Sequence, residues 1–201
     1  MPTYLILPAA YLLGAIPFGY LLVKLKTGRD VRSAGSGNIG ATNVLRTSGR
    51  VSGITTLVLD ILKGVAAVWI ADRISHGDPW WCSLAALAAM AGHAYPVFLK
   101  FRGGKAVATF IGSFLYLTPL ALVATLLVFV GVVARSRYIS LGSVIGAATF
   151  PLAVWLLLHP PLPVLLAAVL AGVFIIYRHL DNIRRLHAGK EHVFSFGGSR
   201  R

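Results

Sequence analysis

AVATFIGSFLYLTPLALVATLLVFVGVVA, residues 106–134, carries no charged side chain and is too long for one ordinary membrane crossing, which takes about 20 mostly apolar residues. Whether this run crosses once or twice sets the sidedness of everything after it. Proline ends helices and turns the preceding residue away from helical geometry, so Thr118-Pro119 supplies a local cause for a break. Charge supplies a second argument. Lys24, Lys26, Arg29, Arg32, Arg46 and Arg50 crowd the first polar connection and Lys100, Arg102 and Lys105 the third, whereas the second, 72–79, sets Arg73 against Asp72 and Asp78. Basic connections stay on the cytoplasmic side, which predicts the first and third inside and the N-terminus outside. With a single crossing at 106–134, Arg135, Arg137 and the basic stretch from Arg178 are not all cytoplasmic. Two short crossings bring them all inside and leave His159-Pro-Pro-Leu-Pro163 outside.

Four further apolar runs, 4–23, 51–71, 81–99 and 138–158, and a shorter one, 162–177, complete the expectation. The chain reads as an all-α integral membrane protein. We expect a compact bundle of about seven transmembrane helices, two of them short, N-terminus outside and C-terminus cytoplasmic, in a single domain over 1–201. Composition agrees, with 57% hydrophobic and 12% charged residues against the usual quarter charged, and a mean hydropathy of +0.77. Trp80, Trp81, Tyr95, Tyr116, Tyr138 and Tyr177 lie near predicted ends as interfacial anchors, and Gly142 and Gly146 let two helices approach closely. The start has no positive region, so 4–23 reads as a first span and not as a cleaved signal. Gly197-Gly-Ser-Arg-Arg201 reads as a flexible end or a cloning remnant. The net charge of +13 lies between apolar runs, which points to topology and anionic headgroups and away from nucleic acid. Cys82 is the one cysteine, which excludes an intramolecular disulfide and a thiolate metal cluster.

Three polar segments, 24–50, 100–109 and 178–192, share the side so assigned. The first holds Gly35-Ser-Gly-Asn-Ile-Gly-Ala-Thr-Asn-Val-Leu-Arg46, with Gly35, Gly37, Gly40, Ser36, Asn38, Thr42 and Asn43 ahead of Arg46. Glycines let successive N–H groups converge on an anion, and arginine grips phosphate through paired hydrogen bonds. A polar loop whose glycines only make turns is the competing reading. The second, Lys100-Phe-Arg-Gly-Gly-Lys-Ala-Val-Ala-Thr109, opens a helix after two glycines. A helix N-terminus attracts anions, so Gly103, Gly104 and Lys105 read as a phosphate seat. It is not a nucleotide-binding loop, because Ala106 stands where Ser or Thr is required. In the third, Arg178, Asn182 and Arg185 recur at spacings of four and three and share a helical face; a solvated helix end meeting lipid phosphates is the competing reading. Asp60 and Lys63, three apart within a span, are expected to pair inward with a structural role. The histidines form no His-Glu-x-x-His pattern and acids are few, so we expect no metal and no cofactor.

Taken together, the three segments resemble one family, the bacterial acyl-phosphate:glycerol-3-phosphate acyltransferases (PlsY). The resemblance rests on 35–46, on Gly103-Gly-Lys-Ala-Val-Ala-Thr109, and on Arg178-His-Leu-Asp-Asn-Ile-Arg-Arg-Leu-His-Ala-Gly-Lys-Glu191, with Leu59-Asp-Ile-Leu-Lys-Gly64 beside them. It implies transfer of a fatty acyl group from acyl phosphate, not acyl-CoA, to the sn-1 hydroxyl of glycerol 3-phosphate, giving lysophosphatidic acid at the bacterial inner membrane. It implies that Ser36, Arg46, Lys105, His179 and Asn182 serve activity, that Gly103, Gly104 and Lys105 seat the glycerol phosphate, and that Glu191 is structural. Gly35, Gly37, Asn38, Gly40, Thr42, Asn43, Thr109, Arg178 and Arg185 are the further substrate contacts expected. Membrane lipids and a soluble enzyme producing acyl phosphate are the implied partners. Acyl phosphate is already activated, so direct attack needs no acyl-enzyme, Ser36 reads as a donor and not a nucleophile, and the acyl chain reads as lying in an apolar groove open to the bilayer. Two proton acceptors stay open: His179 and the substrate's own phosphate. A small-anion or phosphate-ester transporter is the rival from another class; the absence of an internal repeat weighs against it.

Overall fold

A computed structural model describes residues 2–194, and among them every regular element is helical. The expectation about 197–201 lies outside the described residues. Among the described residues five helical stretches are long and apolar enough to cross a membrane: Thr3–Thr27, Arg50–Ser75, Pro79–Leu99, Pro119–Ser136 and Ile139–Leu158. A bent pair, Leu162–Arg178 with Leu180–His187, makes up to six. The chain divides into two compact units at Leu117/Thr118, the proline break expected from sequence. Each is described by itself.

The first unit holds α1 (Ile6–Ala15), α2 (Phe18–Thr27), α3 (Ala41–Ser48), α4 (Arg50–Ser75), α5 (Pro79–Ala94) and α6 (Val107–Leu117). The expected first span is present as Thr3–Thr27, with a break inside it between α1 and α2 at Ile16-Pro17, because proline offers no N–H to the turn before it. Asp78 caps α5 by accepting the Trp80 N–H at 2.7 Å, with Pro79 in the first turn, where its missing N–H costs nothing. Small residues let the backbones touch. A Cβ on Gly14 would strike the Ala89 carbonyl and one on Gly92 the Tyr11 carbonyl, so α1 and α5 meet backbone to backbone. Gly64 of α4 and Gly112 of α6 do the same against Thr109 and Ile61. Close contact between spans relies on such residues, since lipid offers no hydrophobic drive to press helices together. Around the α1–α4–α5 contact Ile6, Ala10, Ala67, Ala71, Ala85 and Ala89 are all buried, while Leu12, Ile54 and Leu62 stand exposed.

α6 is 11 residues long, roughly 16 Å at 1.5 Å per residue. It is the short element expected. α7 (Pro119–Ser136), with 18 residues, spans about 27 Å and corrects the expectation that both pieces of 106–134 are short. The second unit continues with α8 (Ile139–Leu158), α9 (Leu162–Arg178) and α10 (Leu180–His187). Gly142 and Gly146 face Phe129, Val133 and Thr125 of α7, and Gly172 of α9 lies against the Ala147 carbonyl of α8. Exposed Trp80 and Tyr177 stand near helix ends.

Candidate active site

α2 stops at Gly28, and the chain then turns through a short 3-10 helix, Val31–Ser33. Arg32 clasps Asp30 with Nη2 to Oδ2 at 2.7 Å and Nε to Oδ1 at 3.0 Å. That hydrogen-bonded clasp holds the Asp30 carboxyl below the usual carboxylate range. Beyond it the loop closes on one side chain. Asn43, 1% exposed, donates from Nδ2 to the carbonyls of Val31, Ala34 and Asn38 at 3.2, 3.1 and 2.8 Å and accepts the Ser36 N–H on Oδ1 at 2.9 Å. Gly35 and Gly37 have φ of +61° and +70°, a backbone region other residues reach only at a cost. A Cβ on Gly35 would also strike Asn43 Oδ1.

Expected substrate contacts therefore divide. Asn43 spends its polar atoms holding the loop instead of offering donors to a ligand, and Asn38 supports the loop through Oδ1, which takes the Gly40 N–H at 2.7 Å. What the loop presents outward is Ser36, Thr42 and Arg46, all exposed. Thr42 and Arg46 are four residues apart on α3 and share a face. Gly40 caps α3 without a side chain, which leaves the N-terminal turn open to an anion. Val31, Ile39 and Val44 lock into one buried cluster with Val23 and with Leu99. That cluster seats the first motif against the turn that leads into the second.

The second motif follows a 3-10 turn, Val97–Leu99. Lys100, Phe101 and Ala106 have φ of +54°, +60° and +63°, conformations costing about 1–3 kcal/mol each for residues with a Cβ. The glycine pair has a different reason from the one expected. Neither Gly103 nor Gly104 has positive φ, and their N–H groups donate to the carbonyls of Ala94 and His93 at 3.2 and 3.0 Å. Their lack of a Cβ lets the strand of chain lie flush on the end of α5. The cation of this motif is half-buried Lys105, just ahead of α6. Thr109, expected as a substrate contact, is fully buried where α6 meets Gly64 of α4.

Beneath the pair lies a residue that sequence reasoning missed. His93 is 3% exposed, with Nδ1 3.6 Å from Asp60 Oδ1. Lys63 Nζ lies 2.8 Å from the same oxygen and donates to the Ile16 carbonyl at 2.9 Å. The expected Asp60–Lys63 pair is present and buried. An apolar cleft of about 340 Å³ lies between Ile16, Pro17, Tyr20, Leu21, Phe98 and Leu99.

In the second unit the expected single helical face from Arg178 to Arg185 is interrupted. α9 ends at Arg178, and α10 starts at Leu180 with a 54° bend. His179 sits buried at the bend and its Nδ1–H donates to the Ile175 carbonyl at 2.8 Å; in the neutral ring the lone pair is then on Nε2. Asn182 and Arg185 stay together on α10, both bound to Glu191: Asn182 Nδ2 to Oε1 at 2.8 Å and Arg185 Nε to Oε2 at 2.8 Å, joined by Ser140 Oγ at 3.1 Å. Burial alone raises the Glu191 carboxyl, but the Asn182 and Arg185 hydrogen bonds outweigh it and hold it below its ordinary 4.5. A carboxyl held low stabilises the fold while ionised, and the contribution fades as pH falls through its folded value. Glu191→Gln is therefore expected to lower the melting temperature at pH 7. The gap to wild type should close once pH drops well below 4.5; a pH-independent gap contradicts the ionic role.

The family profile described as glycerol-3-phosphate acyltransferase matches residues 4–189. A glycerol-3-phosphate acyltransferase of Geobacter sulfurreducens is 50% identical over 195 residues, covering 96% of this chain and 99% of the relative. One of Trichlorobacter lovleyi is 51% identical over 185 residues, covering 92% and 94%. The crystal structure of PlsY (YgiH), an integral membrane glycerol 3-phosphate acyltransferase, in its glycerol 3-phosphate form matches with a TM-score of 0.91 at 42% identity and 96% coverage of both chains. Its lysophosphatidic acid form matches at 0.88 and 40%, covering 96% of this chain and 95% of that one. With its apolar helices and these matches in sequence and fold, the chain is an integral membrane protein that belongs to the glycerol-3-phosphate acyltransferase family.

Proposed function

We propose that this protein transfers a fatty acyl group from acyl phosphate to the sn-1 hydroxyl of glycerol 3-phosphate, releasing lysophosphatidic acid and inorganic phosphate at the cytoplasmic face of a bacterial inner membrane. The observation that carries the reading is the buried cluster of Val31, Ile39, Val44 and Leu99. It packs the loop and helix that carry Ser36, Thr42 and Arg46 onto the turn that leads to Lys105, which supports reading Arg46 and Lys105 as two cationic phosphate grips. Two anionic substrates need two such grips.

In this reading the hydroxyl oxygen attacks the acyl carbonyl, the carbon–oxygen bond to phosphate breaks, and the hydroxyl proton ends on the released phosphate. No acyl-enzyme forms. Holding the two reactants in line supplies much of the rate, and Arg46 and Lys105 offset the charge that grows on oxygen in the transition state. Lys105 holds the glycerol phosphate and Arg46 the acyl phosphate. The acyl chain runs into the apolar cleft of Ile16, Tyr20, Leu21 and Phe98, and the basic connections face the cytoplasm. Donor choice tests the reading: purified protein given glycerol 3-phosphate is expected to make lysophosphatidic acid from acyl phosphate and none from acyl-CoA. Product from acyl-CoA alone overturns the donor assignment.

A further inference from the structure

Gly104 and His93 occupy one space between them. A Cβ on Gly104 would meet the Nε2, Cδ2 and Cε1 atoms of His93, and its three nearest neighbours all belong to that ring. Backbone bonds run alongside, from the N–H of Gly104 to the His93 carbonyl and from that of Gly103 to Ala94. On the Nδ1 side of the ring lies Asp60, its Oδ1 3.6 Å away. Asp60 and Lys63 already neutralise one another at 2.8 Å, so charge balance gives no reason for an imidazole here. Lys63 ties the group to the Ile16 carbonyl, at the end of α1. One buried cluster thus joins the break between α1 and α2, the middle of α4, the last turn of α5 and the chain entering α6. Directly after the contact come Lys105 and then Ala106 in a left-handed conformation; a backbone so placed holds only where its surroundings over-determine it.

We propose that His93 is a positioning residue for glycerol 3-phosphate: its imidazole, buried beside Asp60 and packed against Gly104, sets the depth of Gly104 and through it the placement of Lys105. The proposal rests on Lys105 holding the glycerol phosphate. It makes the second glycine of the motif half of a packing pair, with His93 as the other half. A displaced Lys105 loses its grip on the phosphate while the acyl phosphate site is untouched, so the effect falls on one substrate.

The test is a kinetic split on the purified full-length protein, with glycerol 3-phosphate and acyl phosphate varied separately. His93→Ala is expected to raise KM for glycerol 3-phosphate roughly tenfold to a hundredfold, with KM for acyl phosphate unchanged, and to lower kcat as well, because a displaced Lys105 also offsets less transition-state charge. Gly104→Ala should raise the same KM. The pair His93→Ala/Gly104→Ala should fall below both single variants, because the new methyl enters the space the ring leaves. His93→Asn gives a second, more conservative arm with the same expected split. A lower melting temperature with wild-type KM marks a merely structural histidine and overturns the proposal, as does a double variant whose effects multiply. The underlying reading fails with its own signature: if Lys105→Ala leaves KM for glycerol 3-phosphate at the wild-type value, the phosphate does not sit on Lys105 and the proposal falls with it.

Discussion

Arg46→Lys is expected to cut kcat/KM by about a hundredfold or more, the scale on which a transition-state charge donor is lost, and to leave the melting temperature where it was. Arg46 is exposed on α3, and among the described residues its side chain makes no hydrogen bond or ion pair. The fold therefore does not lean on it. A guanidinium offers two parallel donors to a phosphate, whereas an ammonium is a compact point charge that keeps the sign and loses the geometry. Initial rates of phosphate release and a thermal melt on the same preparation separate the two effects. Wild-type kcat/KM in the lysine variant contradicts the clamp; a large fall in melting temperature contradicts the claim that Arg46 serves only the ligand.

Lys63→Met should have the largest effect on stability. Its side chain is 1% exposed and that of Asp60 is 2%, so removing the ammonium strands a carboxylate in an apolar interior and frees the Ile16 carbonyl it bound. Breaking a buried pair from one side costs about 3–5 kcal/mol, whereas replacing both partners with well-packed groups is often close to neutral. The double variant Asp60→Leu/Lys63→Met is accordingly expected to recover most of the melting temperature lost by Lys63→Met alone. A single variant as stable as wild type contradicts the pairing, and a double variant no better than the single places the loss in packing.

Some of this architecture can be read directly from residue types. Thr118-Pro119 breaks the apolar run because proline acts on its own neighbours, and Asp60 and Lys63 pair because two charges within a span have few other options. Pro17 carries the same local signal, yet the apolar run around it is long enough to read as one span, so length concealed the break between α1 and α2. The bend at His179 has neither glycine nor proline to announce it; the ring turned back onto the Ile175 carbonyl is visible only in three dimensions. Asn43 shows the limit for site residues. An asparagine among glycines reads equally as a ligand donor or a loop organiser, and only its four bonds decide for the organiser. The glycine pair shows another limit. Sequence reveals that a Cβ is missing at Gly104 but not that His93, eleven positions earlier, fills the gap. The family was thus legible from the three motifs, and the division between polar side chains that hold the loop and those that stand exposed was not.

The measurement closest to the central claim counts both products of one reaction. Purified protein is given acyl phosphate labelled in its acyl chain, with and without glycerol 3-phosphate, and phosphate and lysophosphatidic acid are quantified together with any label left on the chain. The account predicts one phosphate per lysophosphatidic acid when the acceptor is present and neither product when it is absent. Lysophosphatidic acid failing to form, or phosphate released without acceptor while the label stays covalently on the protein, contradicts it.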